Sequence, residues 1–170
     1  MSNPLSFKER VIRAVIARLQ DINPSNTPPN GSTVYGNTIN PNRVFRQAIE
    51  LSKLEPGDDP VLSVSPAEST YAGLVSGRQN EFLTLAIGGV ISEPNPDIEL
   101  RLSTISSDLI DLETDVRRAI LGDPSLDGLV THTTLTQSEY DEGLAYPFAW
   151  FVLSIECLYT ISAAEPFSKV

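Results

Sequence analysis

The sequence is poor in the side chains that most often carry catalysis or bind metal ions. Its 170 residues include one cysteine, Cys157, and one histidine, His132. A single cysteine excludes an internal disulfide framework and is typical of a protein from a reducing compartment. A zinc site takes about four ligands drawn from Cys, His and carboxylates, so this chain does not predict one.

Long hydrophobic runs are also missing. No stretch approaches the roughly 18 to 20 apolar residues that span a bilayer, and charges interrupt the apolar residues of the N-terminus. We therefore expect neither a membrane span nor secretion. Hydrophobic residues make up 41% of the chain, which is enough to build a core. The composition predicts one globular domain over residues 1–170, with flexible loops or insertions at 23–42 and 65–78.

Basic residues are scarce and unevenly placed. The net charge is −10, which argues against a protein that binds DNA through its phosphates. Residues 21–170 hold eight basic and twenty-one acidic side chains, whereas the first twenty residues are basic. That basic segment is either a solvated helix face or a surface that docks on an acidic neighbour. Its candidate interface residues are Lys8, Arg10, Arg13 and Arg18.

Two amphipathic helices are predicted. Ser6 and Glu9 form a capping-box pattern before the first, whose stripe comprises Ile12, Val15, Ile16 and Leu19. The second ends at Gly122, which suits a left-handed C′ position, and Arg117 and Arg118 in its last turn are further interface candidates. Its apolar stripe comprises Ile105, Leu109, Leu112, Val116 and Ile120.

The strand pattern is strongest in the second half of the chain. Residues 81–91 read as a buried strand in which Gly88 and Gly89 indicate a bulge or a close backbone approach. Residues 43–55 fit a helix or a strand, and the turn that follows favours a strand. Residues 61–64 resume β character, and 65–78 read as a loop. We predict an α+β fold, a mainly antiparallel sheet with both helices on one face.

The last strand, residues 150–161, has one apolar and one mixed face. Phe151 to Ile161 in steps of two should face the core, whereas Trp150 begins a face left to a partner or to solvent. An acidic hairpin tip containing Glu139, Asp141 and Glu142 precedes this strand and is either a lumen or rim loop or a solvated turn.

Catalytic and metal-binding patterns are weak. His132 alternates with threonines and reads as an exposed strand residue, and Cys157 falls on the core-facing side of the last strand. Asp108, Asp111 and Asp115 share a helix face and read as solvated or interfacial charge. We therefore expect no enzyme, no metal and no cofactor.

The order of these elements resembles the tail terminator of long-tailed bacteriophages, the lambda-type minor tail protein family. The resemblance covers roughly residues 5–162: a basic helix, a strand pair ending at residues 59–64, an apolar strand, a long Leu-striped helix, a polar strand and a closing Tyr-containing strand. The Asn/Pro-rich segment 23–42 and the Ser/Gly-rich segment 65–78 depart from the family pattern.

The resemblance implies a structural virion protein of the tail or neck, assembled in the host cytoplasm. Such a protein forms a homo-hexameric ring on the tail tube protein, stops tube growth and presents a surface to a head–tail connector or neck protein. A terminal sheath ring would be a further partner in a contractile tail, and genomic DNA would pass without specific binding. The alternative is another head–tail connector, neck adaptor or tail-completion protein.

Overall fold

The computed structural model describes residues 5–57, 60–75, 77–92, 98–141 and 146–162, without the side chains of 74, 75 and 98–106. Two helices and five strands make up its regular structure. In chain order they are α1 Phe7–Gln20, β1 Val44–Phe45, β2 Val61–Val75, β3 Arg78–Ser92, α2 Ile98–Leu121, β4 His132–Asp141 and β5 Phe148–Ser162.

The five strands form one sheet in the order β1-β2-β3-β5-β4. β1 pairs with β2 in parallel, and every other neighbouring pair is antiparallel. Both helices pack on the same face of the sheet, where their apolar stripes and alternate strand residues form a single hydrophobic cluster. The predicted α+β class and its one-sided arrangement are confirmed.

Helix α1 begins where the capping pattern placed it. The Ser6 hydroxyl oxygen accepts a hydrogen bond from the Glu9 backbone N–H at 3.3 Å. The second half of the capping box does not form, because the Glu9 carboxylate binds Arg13 and Arg46 instead. The buried side of the helix includes Phe7, Val11, Ile12, Val15 and Leu19.

Helix α2 buries the predicted stripe of Leu109, Leu112, Val116 and Ile120, while the side chain of Ile105 lies outside the described residues. The explanation for Gly122 was wrong, because this glycine does not have a positive φ. A β-carbon at position 122 would lie 2.4 Å from the carbonyl oxygen of Pro29. Glycine therefore allows segment 23–42 to approach the end of the helix.

Two predictions between residues 43 and 78 need correction. The segment 65–78 was expected to be a flexible loop, but its residues 65–75 form most of strand β2, because β3 provides backbone partners along that strand. The small and polar residues are accommodated by register shifts between Pro66 and Glu68 and between Ala72 and Leu74. Residues 43–55, expected to be a strand, contribute only the two residues of β1 and short 3-10 turns at Pro41–Arg43 and Leu51–Lys53.

Segment 23–42 contains no strand and no α-helix, as expected, but it is fastened to the core. Tyr35 and Ile39 are buried in the hydrophobic cluster. The Ile39 N–H donates to the Ile22 carbonyl at 2.9 Å, and the Asn30 side chain donates to the Gly122 carbonyl at 2.9 Å. These contacts explain how a chain rich in Asn and Pro lies in a fixed position without regular structure.

Strand β5 confirms the predicted alternation along its whole length. Phe151, Leu153, Ile155, Cys157, Tyr159 and Ile161 are buried under the helices, and the residues between them are half-exposed on the other face. The two central glycines mark a close approach rather than a bulge. A β-carbon on Gly89 would lie 2.4 Å from the ring of Phe151, its partner across the β3–β5 ladder.

We expect Leu112→Ala to lower the free energy of unfolding by about 2 to 5 kcal/mol. The Leu112 side chain is 1% exposed, so its removal leaves a cavity between α2 and the sheet. Ile110→Ala is the matched control on the same helix, since Ile110 is 47% exposed. Chemical denaturation of both variants measures the difference. Equal losses would show that the stripe does not anchor the helix to the sheet.

Candidate functional site

The face of the sheet opposite the helices is open over much of its area. In β5 it carries Trp150, Val152 and Leu158, and in β3 it carries Phe82 and Ala86, all of them half-exposed. A sheet face with this many apolar side chains is usually covered by another layer of structure. Among the described residues, the helices supply that layer on one side only.

An apolar groove lies at one end of this open face. It has a volume of about 410 Å³, and its floor comes from β2, β3 and β5, with Ala48, Ile49 and Leu51 along one wall. Gly88 is part of the floor, and a β-carbon there would lie 2.7 Å from the Ser63 hydroxyl oxygen. Trp150, predicted to face a partner or solvent, lines this groove beside Val152.

The acidic residues assigned to a hairpin tip lie elsewhere. Glu139 and Asp141 belong to strand β4, where they pair with Val152 and Trp150 of β5. The hairpin-tip prediction was therefore wrong for these two residues, because β4 continues ten residues from His132 before it ends. Glu142 lies outside the described residues.

The cations of α1 are largely engaged within the chain. Lys8 Nζ lies 2.6 Å from Glu81 Oε1, and Arg18 contacts the carboxylates of Asp123 and Asp127 at 2.9 and 2.8 Å. Burial lowers the pKa of Lys8, but hydrogen bonds to Glu81 and Tyr71 outweigh it and leave that pKa raised. Asp123, hydrogen-bonded by the Ser125 hydroxyl and by backbone N–H groups, has a pKa lowered to about 2.

Two arginines of α1 remain on the surface. Arg13 is exposed and binds Glu9 one turn earlier at 2.9 Å, and Arg10 is exposed beside the ring of Phe7. Of the α1 residues proposed to meet an acidic neighbour, these two present their charge outward. Lys8 and Arg18 instead hold α1 to the hairpin and to the turn after α2.

The two arginines at the end of α2 also bind their own chain. Arg117 Nε lies 2.5 Å from the buried carboxylate of Glu113. Arg118 binds Asp115 at 2.9 Å and donates to the backbone carbonyls of Thr33 and Val34. Arg118 thereby attaches segment 23–42 to α2, whereas Arg117 binds within its own helix.

Asp115 is the centre of that attachment, which the sequence pattern did not indicate. Its Oδ2 accepts hydrogen bonds from the backbone N–H groups of Gly36 and Asn37 at 2.8 Å and from the Asn37 side chain at 2.9 Å. The expectation of solvated charge was wrong for Asp115, which is 3% exposed, whereas Asp108 and Asp111 are exposed. The sequence did contain a signal for this burial, because Asp115 directly precedes Val116 of the buried stripe.

A second buried carboxylate was also missed. Glu81 is 2% exposed and lies in β3 on the face covered by the helices, close to Tyr159. Burial, with the nearby Glu81 carboxylate, raises the pKa of the Tyr159 phenol. The alternation of β3 could have predicted this burial, since residue 81 lies on the same side of the strand as Leu83 and Leu85.

The chemically reactive side chains do not converge. His132 is exposed at the start of β4, and Cys157 is fully buried on the other face of the sheet beside the Thr133 hydroxyl. Burial raises the pKa of the Cys157 thiol to about 11, which keeps it protonated at neutral pH. Among the described residues there is no group of three or more His, Cys, Asp and Glu side chains that could hold a metal ion.

Comparisons with known proteins give little guidance. No protein-family model matches the chain, and no curated protein matches it. One solved structure that matches in part is titled "Virion of native gene transfer agent (GTA) particle". It is 7% identical and has a TM-score of 0.39, covering 69% of this chain and 78% of that chain. Similarity at this level supports no inference about function.

A search for helices long and apolar enough to cross a membrane finds none in the described part of the chain.

We expect Asp115→Ala to lower the free energy of unfolding by about 3 to 5 kcal/mol, because it removes a buried ion pair and three further hydrogen bonds. Asp111→Ala is the control on the same helix and should change stability by less than about 0.5 kcal/mol. Thermal or urea unfolding compares the two. A small loss in Asp115→Ala would show that segment 23–42 is not held by this carboxylate.

Proposed function

We propose that this protein is a structural component of a bacteriophage virion that forms a ring on the end of the tail tube. The observation that carries the proposal is the open sheet face with its apolar groove, on the side opposite both helices. Exposed apolar surface of this kind marks a place where another protein binds. In this role the ring terminates tail polymerisation and offers its other side to the neck.

The more specific role as a tail terminator rests on the order of sequence elements, which resembles that family. The resemblance also supplies the number of subunits, six. A ring requires heterologous contacts, in which two different patches of each subunit meet. The open face and the helix-covered face differ in composition and shape, so the chain has unlike surfaces available for such contacts.

A structural role is also consistent with how the charged residues are used. Arg18, Arg117 and Arg118 each bind a carboxylate of their own chain. In the described residues, His132 and Cys157 are on opposite faces of the sheet. The surface is therefore better suited to protein contacts than to a reaction.

We expect the protein to assemble as a hexamer, at least when it is bound to the tail tube. Native mass spectrometry and negative-stain imaging of tails measure the number of subunits. Val152→Asp should prevent tail capping because it places a carboxylate in the apolar groove. Ser107→Asp, on the exposed side of α2, should leave capping unchanged. A three-fold or twelve-fold ring would contradict the proposal.

We also expect the assembled ring to let DNA pass without holding it. The chain has a net charge of −10. Contacts between basic side chains and phosphates supply the salt-sensitive affinity for DNA, and an acidic chain makes few of them. Six copies would strengthen the negative field within the channel. Gel-shift titration against duplex DNA at low salt should show no retardation at micromolar protein, and tight binding there would exclude an acidic or neutral lumen.

A further inference from the structure

The sheet ends in two exposed edges. β1 pairs only with Leu62 and Ser63 of β2, so most of the outer side of β2 has no strand beside it in the described chain. β4 is the last strand at the other edge. Outside the ladders, no backbone hydrogen bond between described residues reaches 64–73 or 132–140. Free N–H and C=O groups along such an edge can pair with a strand of another chain.

These edges carry little of the protection that usually prevents such pairing. Neither β2 nor β4 contains a lysine or arginine, the residues that most often keep an edge apart from other strands. β2 does contain Pro66 and two register shifts, but residues 68–72 lie between them. β4 keeps its register over residues 132–135. Each edge therefore offers one short regular stretch.

The two regular stretches lie at the same level of the sheet. The residue pairs of successive ladders connect into rows that cross the sheet, and residues in one row lie at the same level along the strands. One row crosses the sheet through Glu68, Thr84, Glu156 and Thr134, and another crosses it through Thr70, Phe82, Leu158 and His132.

The strand directions allow these edges to meet. Three successive antiparallel pairings separate β2 from β4, so the two edge strands run in opposite directions. Copies related by rotation about an axis along the strands keep these directions. The β4 edge of one copy then approaches the β2 edge of the next as an antiparallel partner, without any shift along the axis.

We propose that neighbouring copies join through these edges, with residues 132–134 of β4 pairing with residues 68–70 of β2 in the next copy. The inference rests on the proposed ring and identifies its subunit contact. Contact between two different edges is heterologous and repeats from copy to copy, as a ring requires. On these rows His132 would meet Thr70, and Thr134 would meet Glu68. Between them, Thr133 would meet Ser69, a pair of hydroxyl side chains that can hydrogen-bond across strands.

Charge complementarity supports the same register. Glu139 of β4 is on the row that reaches Ser63 of β2 and Phe45 of β1. Glu139 is exposed, and the side chain of Arg46, directly after Phe45, is 53% exposed. The carboxylate of one copy thus approaches the guanidinium of the next. Arg46 already binds Glu9, but its five N–H donors can serve two carboxylates.

Edge pairing would also place the open face along the inside of the ring or along its outside, with the helices on the opposite wall. The open face carries Glu68, Glu139 and Glu156, whereas its cations are Arg78 at the start of β3 and Arg46 at the joint. An inward orientation of this face would line the channel mainly with acidic and neutral side chains. This agrees with the proposal that DNA passes without being bound.

Disulfide trapping tests the contact directly. Thr70→Cys with His132→Cys places one thiol on each edge at the same level, and both native residues are exposed, so the fold should tolerate them. Mild oxidation should produce a ladder of covalent multimers on a non-reducing gel. The native Cys157 is buried and should not react. Thr70→Cys with Ser107→Cys is the matched control and should give no such ladder.

A second variant tests the same contact without cross-linking. Thr134→Glu puts a carboxylate on the β4 edge opposite Glu68 of the next copy and should shift the assembly from ring to a folded monomer in native mass spectrometry, because like charges directly opposite each other repel. Ser107→Glu should leave the ring intact. A hexamer that gives no ladder and tolerates Thr134→Glu would overturn edge pairing but retain the ring. Monomers under all conditions, with no ladder, would overturn both proposals.

Discussion

The antiparallel pairing of β3 with β5 is the interaction on which the rest of the structure depends. The two strands pair from Arg78 with Ser162 to Ser92 with Phe148 without a register shift. This pairing sets the phase of every other strand, because β2 and β4 attach to its two sides. It also places Leu83, Leu85 and Ile87 beside the apolar residues of β5, which creates the surface that the helices cover.

The same pairing explains the glycine pair in β3. Gly89 leaves room on the covered face for the ring of Phe151, and Gly88 leaves room on the open face beside Ser63. A larger side chain at either place would force the strands or the ring to move. Two adjacent glycines therefore serve opposite faces of one strand, one within the core and one in the groove.

Three ion pairs in this acidic chain connect its helices to distant segments. Lys8 fastens α1 to β3 through Glu81, Arg18 fastens its other end to Asp123, and Arg118 fastens segment 23–42 through Asp115. Each of these pairs is partly buried. Removing one partner would therefore leave the other charge poorly compensated.

The sequence by itself determined the elements whose periodicity is sustained. The stripes of α1 and α2 and the alternation of β5 were predicted correctly because each residue's burial follows directly from its position in a helix or strand. Cys157 and His132 were placed correctly for the same reason. Local patterns could not show that residues 65–75 are a strand, because their small and polar side chains become ordered only by pairing with β3.

Only the tertiary structure decided how distant parts of the chain meet. It brought Asp115 to the backbone of Gly36 and Asn37, paired Arg18 with Asp123, and moved Glu139 from an expected turn to an edge strand. These contacts join residues far apart in sequence, and no local periodicity encodes which charged group lies opposite which. The covered face was thus readable from the sequence, whereas the edges and the groove arose from the order in which the strands assemble.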